Sequence, residues 1–415
     1  MDRLPPDPST RLRIAALTIT GIALAVLVGR DGSPGWLAVR VAIVIAVTGS
    51  LILLISRVRR GPGVWVLLPA GLVGTAVGAG ITPPWLTKAG LGIVSVAGIL
   101  SLVGGLSLLG FAAVDLAGAL RGWRRAAAIV LLLPVAVVVV FSLGVAVAAT
   151  NVPPTELSAH TPADRGLDFA TVEFETADGV ALAGWYLPSQ NGAGVVLAHG
   201  AGSTRISVLE HAEVLAGHGY GVLLYDARGH GRSGGRAMDL GWYGDEDVGA
   251  AVRYLSTRSD VEPERIGAVG LSMGGEQVIG AAAADTRIAG VVAEGATART
   301  ADDKDWLSEE HGAQGWIQER IDDLTFWLTD LLTESGPPIT LREAAARAAP
   351  RPMLLIAAAG VADEPAAARY IREGSPGTVE VWVVPDAGHT RGLATAPAEW
   401  EEQVIGFLDR VLGGR

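Results

Sequence analysis

The first 150 residues contain five long apolar stretches, near residues 12–29, 36–56, 64–82, 90–114 and 126–149. An α-helix needs about 20 residues to cross the ~30 Å hydrocarbon core of a bilayer, and each stretch is close to that length. The sequence therefore predicts an all-α transmembrane bundle of about five spans over residues 1–150. We interpret Thr82-Pro83-Pro84-Trp85 as a short turn between the third and fourth spans.

Basic residues that flank the apolar stretches are divided unequally between the two sides of this bundle. The side of the N-terminus has Arg3, Arg11, Arg13, Arg57, Arg59, Arg60, Arg121, Arg124 and Arg125, and the other side has Arg30, Arg40 and Lys88. Cytoplasmic loops carry the excess of Lys and Arg in multi-span proteins. We therefore expect a cytoplasmic N-terminus and place residues 151–415 on the outer face of the cell membrane.

Little in the apolar half indicates transport. Arg40 and Asp115 are the ionisable residues nearest to the spans, and both lie near span ends, whereas transport pathways carry charge deeper in the membrane. Gly74 and Gly78, spaced G-x-x-x-G, favour close packing of helices. We interpret residues 1–150 as an anchor whose partner is the lipid bilayer.

Charge distinguishes the two halves of the chain. Residues 1–150 hold 12 Lys plus Arg and 4 Asp plus Glu, whereas residues 151–415 hold 20 and 39. An acidic second half argues against a nucleic-acid partner. The chain has no cysteine, and its seven histidines include no H-x-x-x-H pair. We therefore expect no disulfide, no metal and no cofactor.

Short β-branched runs alternate with helical patterns after residue 151. Strands are predicted near 170–176, 180–187, 194–199, 220–226, 266–271, 289–294, 353–358 and 378–385, and helices near 205–217, 245–257, 273–284, 313–333, 364–373 and 396–412. Strands separated by helices pair in parallel. The sequence therefore predicts an α/β fold with an eight-stranded, mostly parallel sheet and helices on both faces.

Polar residues follow four of these strands, at the carboxyl ends where such sheets bind ligands. His199 to Gly202 follow the third strand, Ser272 the fifth, Asp363 the seventh and His389 the eighth. The stretches HGAGS, YDARGHGRSGG, GLSMGG, GVADE and PDAGHT, in this order, resemble the α/β-hydrolase superfamily, specifically its bacterial esterase and serine-aminopeptidase-like (S33-type) branch. The resemblance covers about residues 165–415. It implies a hydrolase domain over residues 151–415 with a helical cap at about 300–350.

Ser272 lies between a strand pattern and a helix pattern. A hydroxyl that stands clear of the sheet needs a turn so tight that bulky side chains two positions away would collide, which explains Gly270 and Gly274. The resemblance implies that Ser272 is the nucleophile and His389 the general base. His311, in the cap, is the rival base.

The third member of such a site holds the imidazole ring and stabilises its charged form. Asp363 fits the family pattern G-x-x-D through Gly360, and we predict that it is the acid. Glu364 stands beside it and is the alternative.

The resemblance also implies the oxyanion donors, which are the backbone N–H groups of Ala201 and Met273. His199 is interpreted as structural, because it can fix this loop by hydrogen bonding. Asp226 and His230 are likewise assigned structural roles in the loop after the fourth strand.

The stretch GWIQERIDDLTFWLTDLL in the expected cap has an apolar face at helical spacing. This face is formed by Ile317, Ile321, Leu324, Trp327, Leu328 and Leu331. It is expected to pack on the core or to roof an acyl pocket, and in the second case the same face could touch the bilayer.

These observations favour a membrane-anchored serine hydrolase that cleaves a carboxylic ester through an acyl-enzyme. The alternative within this chemistry is an aminopeptidase-like peptidase or amidase, in which cap carboxylates bind a free amine. The candidate carboxylates are Glu309, Glu310, Asp322 and Asp323. The alternative from another class is a non-catalytic binding or scaffold protein on a hydrolase fold.

Overall fold

A computed structural model describes residues 7–30, 34–57, 63–236 and 239–413. The chain forms two compact units, of which one comprises Met1–Pro153 with Trp327–Leu332 and the other comprises Pro154–Phe326 with Thr333–Arg415. Arg3, Arg59 and Arg60, which contribute to the predicted orientation, lie outside the described residues.

The first unit contains five helices that are long and apolar enough to cross a membrane. They are α1 (Pro8–Val28), α2 (Pro34–Arg57), α3 (Val64–Ala89), α4 (Ile93–Ala119) and α5 (Trp123–Thr150). The five apolar stretches of the sequence thus correspond to five helices.

Polar contacts connect the ends of these helices, and the ends that meet are those expected if successive helices run in opposite directions. Near the start of α1, Arg13 forms a bidentate ion pair with Asp115 near the end of α4, with N–O distances of 2.6 and 2.8 Å. Beyond the end of α1, Arg30 donates to Asn151 Oδ1 at 2.9 Å, and the Trp85 indole donates to the Asn151 carbonyl at 2.7 Å. The ends of α1, α3 and α5 therefore lie together, as successive antiparallel helices require.

The turn expected at Pro83 and Pro84 is wrong, because α3 continues through both prolines to Ala89. The chain turns instead at Gly90, whose φ of 69° suits glycine. Two prolines remove only two helical N–H donors, and apolar helices in membranes tolerate proline when neighbouring groups compensate.

Glycines bring α3 and α4 into close contact. A Cβ added at Gly78 would lie 2.3 Å from the main-chain nitrogen of Leu102, and one added at Gly74 would lie 3.1 Å from Cα of Gly105. The spacing of Gly74 and Gly78 thus serves close helix packing, as the sequence indicated.

The second unit is built on one eight-stranded sheet with the order β1-β2-β4-β3-β5-β6-β7-β8. The strands are β1 (Ala170–Glu175), β2 (Ala181–Leu187), β3 (Gly194–Ala198), β4 (Gly221–Tyr225), β5 (Ile266–Leu271), β6 (Ile288–Glu294), β7 (Met353–Ala358) and β8 (Val379–Val384). Strand β2 is antiparallel to β1 and β4, and the remaining pairs are parallel. The predicted fold class is confirmed, and every predicted strand is present.

Helices alternate with the strands along the chain. They are α6 (Leu209–Gly217), α7 (Gly244–Leu255), α8 (Met273–Ala284), α9 (Leu307–His311), α10 (Ala313–Leu332), α11 (Leu341–Ala348), α12 (Glu364–Arg372), α13 (Gly392–Thr395) and α14 (Pro397–Leu412). One apolar core lies beneath α7, α8 and α11, and a second lies beneath α6 and α14.

Helix α11 differs from the expectation that residues 300–350 form a cap. Leu341, Ala344, Ala345 and Ala348 are buried in the core beside α8. Helix α11 therefore belongs to the layer of helices that covers the sheet. The part of the β6–β7 connection outside that layer ends before α11. This short Ala-rich helix carries too few large apolar residues for its periodicity to be read in advance.

Candidate active site

The turn between β5 and α8 holds Ser272 in a strained conformation. Its φ and ψ are 54° and −123°, which non-glycine residues adopt rarely. A Cβ added at Gly270 would lie 2.2 Å from the Gly274 carbonyl oxygen, and one added at Gly274 would lie 2.5 Å from the Ala198 carbonyl oxygen. The flanking glycines are therefore required by backbone contacts, and the turn presents the hydroxyl above the sheet.

A continuous hydrogen-bond path joins three side chains at the carboxyl edge of the sheet. Ser272 Oγ lies 2.8 Å from His389 Nε2, and His389 Nδ1 lies 2.6 Å from Glu364 Oε1. A carboxylate can only accept, so Nδ1 carries the proton of the neutral ring and Nε2 accepts the serine hydroxyl. The structure thus brings together Ser272 and His389, which are 117 residues apart.

The carboxylate beside His389 belongs to Glu364 and not to Asp363, which corrects the predicted acid. Glu364 is 1% exposed, and its Oε2 accepts a 2.7 Å hydrogen bond from the Ala358 amide at the end of β7. The Asp363 side chain is 59% exposed and lies 3.9 Å from His311 Nε2. Adjacent residues at the start of α12 point in different directions, and the longer side chain reaches back over the sheet edge.

Three carboxylates, of Glu364, Glu276 and Glu294, raise the pKa of His389. The hydrogen bond that His389 Nδ1 donates to Glu364 raises the pKa of His389 above its ordinary value. Glu276 lies one turn after Ser272 on α8, and its Oε1 accepts the amides of Thr297 and Ala298 at 3.2 and 3.0 Å. Burial raises the pKa of Glu276 to about 7. A negative Glu276 also raises the pKa of His389, so these carboxylates favour the protonated ring.

The loop after β3 lies directly against Ser272. A Cβ added at Gly200 would be 3.3 Å from Ser272 Cβ. The buried His199 ring fixes this loop, because its Nε2 accepts the Ala227 amide at 3.0 Å while Nδ1 lies 2.8 Å from the Gly200 carbonyl oxygen. Burial lowers the pKa of His199 to about 3, so the ring is neutral and serves as a fixed support.

Residues of the loop after β4 hold the same segment from the other side. His230 Nε2 accepts the Gly202 amide at 3.3 Å, and Asp226 Oδ1 accepts the Arg205 amide at 2.9 Å. Both side chains are buried. Their contacts are to backbone amides, which fits a structural role for each.

Thr155 also contacts this loop and was not anticipated from the sequence. Its hydroxyl donates to the Gly202 carbonyl oxygen at 3.1 Å, and its own carbonyl accepts the Gly231 amide at 2.8 Å. No motif includes Thr155, so only the folded structure reveals the contact.

Glu294, at the end of β6, is a second residue that the sequence did not single out. It is 4% exposed, and its carboxylate accepts the Gly392 amide at 2.7 Å and the Trp400 indole at 3.1 Å. Burial raises the pKa of Glu294. Gly392 follows His389 by three residues, so Glu294 braces the loop that carries His389.

Two cavities flank the Ser272–His389 pair. One, of about 580 Å³, is lined by Lys304, His311, Gln314, Gln318, Asp363 and His389 among others. The other, of about 530 Å³, is lined by Ala201, Ser203, Ser207, His211, Ser272 and Arg391 among others. Both walls mix polar and apolar groups, and His311, the rival base, lies in the first cavity without a hydrogen bond to Ser272.

The apolar face of α10 neither packs on the core nor roofs a pocket, so both leading expectations for it are wrong. Ile317 and Leu331 are 54% and 62% exposed. The residues of α10 that line the first cavity are Gln314, Gly315 and Gln318, none of which belongs to the apolar face. Helical periodicity identified the face correctly but could not tell whether it points inward.

Comparison with known proteins gives the class of the second unit. Residues 189–334 match the family model described as Serine aminopeptidase, S33. A solved esterase of Pyrococcus furiosus superposes with a TM-score of 0.50 at 27% identity, over 64% of this chain and 99% of the esterase. Together with the sheet order, these matches define the second unit as an α/β hydrolase. The chain is similar to the S33 and esterase branch of the α/β-hydrolase superfamily.

Curated relatives match a shorter segment. The chain is 38% identical over 133 residues to Rv2307c of Mycobacterium tuberculosis, which is 31% of this chain and 45% of that protein. It is 38% identical over 125 residues to thiohydrolase aneE of Aspergillus aculeatus, which is 29% of this chain and 39% of that protein. The chain thus spans less than half the length of the curated relatives that it matches.

Proposed function

We propose that this protein is a membrane-anchored serine hydrolase that cleaves carboxylic esters through an acyl-enzyme. The observation that carries the proposal is the hydrogen-bond path from the Ser272 hydroxyl through His389 to Glu364. A serine hydroxyl becomes an effective nucleophile only when a base removes its proton during attack. The path supplies that base and a buried carboxylate that orients it, so Ser272, His389 and Glu364 form the proposed triad.

Each group has one role in the proposed reaction. Ser272 Oγ attacks the ester carbonyl carbon while His389 Nε2 takes the hydroxyl proton, and Glu364 stabilises the imidazolium through Nδ1–H. The proton then passes to the leaving oxygen, which departs as the alcohol and leaves an acyl ester on Ser272. Water, deprotonated by the same nitrogen, attacks this ester. The bond from the acyl carbon to Ser272 Oγ then breaks, His389 Nε2 returns the proton to Ser272 Oγ, and the acid leaves.

The negative charge on the carbonyl oxygen needs donors in both steps. The backbone N–H groups of Ala201 and Met273 are our candidates, because Gly200 lies against Ser272 and Met273 begins α8. Removing one such donor typically costs ~100- to 1,000-fold in rate. The buried rings of His199 and His230 support the first of these two positions.

We assign the apolar helices α1–α5 the role of a membrane anchor, with the N-terminus in the cytoplasm and the hydrolase on the outer face of the cell membrane. The alternation of polar contacts at the helix ends supports an odd number of crossings. The excess of arginine on the N-terminal side supports this orientation.

Ester cleavage is favoured over aminopeptidase chemistry by the ion pairs of three of the four candidate cap carboxylates. Asp322 is paired with Lys304 at 3.2 Å, Glu310 with Arg369 at 2.7 Å and Asp323 with Arg320 at 3.0 Å. One observation keeps a peptidase as the second candidate: the exposed Asp363 carboxylate lines the first cavity beside His389, where it could bind a free amine.

Activity-based labelling tests the proposal directly. The full-length chain should react with a fluorophosphonate at Ser272, and the Ser272→Ala variant should not react. A non-catalytic scaffold would leave both chains unlabelled.

A panel of p-nitrophenyl esters, acyl thioesters and aminoacyl anilides then separates the substrate classes. Thioesters belong in the panel because one relative is a thiohydrolase. Cleavage of anilides alone would reverse the choice of ester over amide, and Asp363→Asn would then abolish the activity.

A further inference from the structure

Helix α10 presents large apolar side chains to the outside of the protein. Trp316, Ile317, Trp327 and Leu331 are 57%, 54%, 57% and 62% exposed. At 100° per residue these four positions fall within one third of the helix circumference, with the half-exposed Leu324 between them. A helix on a water-soluble surface shows the opposite arrangement, with polar residues outward.

The inward side of α10 is polar, and specific contacts fix its rotation. Glu319, Asp322 and Thr325 are each 7% exposed. Glu319 Oε1 accepts the Ser308 amide at 2.7 Å, and Asp322 contacts Lys304 at 3.2 Å and Gln318 at 3.1 Å. Rotating α10 so that its apolar residues point inward would break these contacts. The buried polar contacts therefore hold the apolar face outward.

We propose that the outward face of α10, formed by Trp316, Ile317, Leu324, Trp327 and Leu331, lies in the interfacial layer of a lipid bilayer. Tryptophan is enriched at this depth, and amphipathic helices bury their apolar faces there by about 5–10 Å. The chain itself makes the bilayer available, because α5 ends at Thr150 and the second unit begins at Pro154.

Charge argues against a requirement for anionic lipids. Arg320 is the basic residue within this face, and it already contacts Asp323 at 3.0 Å. The second half of the chain also has many more acidic than basic residues. Burial of apolar area is therefore the driving force, and a neutral phosphatidylcholine surface suffices. The inference rests on the anchoring part of the proposed function and is independent of the hydrolytic part.

The absence of cysteine from the chain allows a direct test. Ile317→Cys and Leu331→Cys variants of the full chain, each labelled with a fluorophore, are placed in phosphatidylcholine vesicles that contain nitroxide-labelled lipid. Glu402→Cys on α14, an exposed polar position, is the matched control. We expect lipid nitroxides to quench the labels at positions 317 and 331 at least twofold more than the label at position 402.

Equal quenching at all three positions would overturn the inference, whether the labels at 317 and 331 are in water or covered by a second copy of the chain. Quenching that appears only with anionic lipid would overturn the predicted independence from charge. Flotation of the vesicles checks the anchor separately. A chain that does not float overturns the anchor and this inference together, whereas one that floats with unquenched labels overturns the inference alone.

Discussion

The main-chain N–H of Ser272 donates a 2.7 Å hydrogen bond to the carbonyl oxygen of Glu294. The side chain of the same glutamate accepts the Gly392 amide in the loop that carries His389. One residue therefore connects the proposed nucleophile, through its backbone, to the proposed base, through its side chain. We therefore predict that Glu294 is a positioning residue that sets the distance between Ser272 and His389.

Substituting Glu294→Gln should lower kcat while leaving KM nearly constant. The two carboxylate oxygens of Glu294 accept the Gly392 N–H and the Trp400 indole N–H separately, and glutamine has only one acceptor oxygen. One contact is therefore lost, and the loop that carries His389 shifts. Misplacement of about 1 Å can cost ~100-fold in rate, and we expect a loss of that order or somewhat less. Steady-state kinetics on a p-nitrophenyl ester measure it. Glu380→Gln, at an exposed site, is the control, and equal activity of the two variants would refute the bracing role.

The acid of the triad is tested by a matched pair of neighbouring substitutions. Glu364→Gln should reduce kcat by ~10⁴-fold, since it removes the charge that stabilises the imidazolium. Asp363→Asn should leave ester hydrolysis within a few-fold of the original, because this side chain points to His311. Rates measured side by side decide the matter, and a larger loss in Asp363→Asn would restore the acid predicted from the sequence.

The pH dependence of kcat/KM follows from the raised pKa of His389. The base must be neutral to accept the serine proton, so activity should rise with pH through a pKa above the ordinary value of 6.5. Glu364→Gln removes the main cause of the increase, so the residual activity should rise at a lower pH. A pH–rate profile of both chains checks the sign. An unchanged midpoint would show that Glu364 does not set the pKa of His389.

Stability at the serine turn is probed by two glycine substitutions with opposite expected effects. Gly270→Ala places a Cβ 2.2 Å from a carbonyl oxygen and should lower the melting temperature of the hydrolase unit, with a cost of about 1–3 kcal/mol. Gly406→Ala, in α14 with no atom within 4 Å of the added Cβ, should be neutral or stabilise by about 0.5–1 kcal/mol. Thermal unfolding followed by tryptophan fluorescence compares them. A tolerated Gly270→Ala would mean that the turn can relax.

The orientation is tested by external proteolysis of intact cells. A protease added outside should release a fragment beginning near residue 154, because we place the hydrolase on the outer face. Cells opened by detergent serve as the control for protease access. Full protection in intact cells with cleavage after opening would reverse the orientation.

A structural feature can be predicted from the sequence when it is defined by residues that are close together along the chain. Strand positions follow from local apolar periodicity, and the serine turn follows from Gly270 and Gly274, which are adjacent to it along the chain. The orientation of α10 depends on buried contacts of Glu319 and Asp322, which periodicity alone does not report. The choice between Asp363 and Glu364 depends on the direction of two consecutive side chains at a helix start.

The contacts of Glu294 and Thr155 could not be predicted from the sequence for another reason. Glu294 meets Gly392 across 98 residues, and Thr155 meets Gly202 across 47. Neither residue belongs to a motif whose spacing implies chemistry. Their roles arise only when the sheet brings distant loops to a common edge.

The hydrogen bond from Thr155 to the Gly202 carbonyl oxygen has a practical consequence for protein engineering. The last residue of α5 is Thr150, so only four residues separate the apolar helix from a group that braces the proposed oxyanion loop. A soluble enzyme made by trimming the chain back to the first strand at Ala170 would keep the whole sheet yet lose this brace. Transplanting the hydrolase onto a foreign anchor would succeed only if the junction were placed before Thr155.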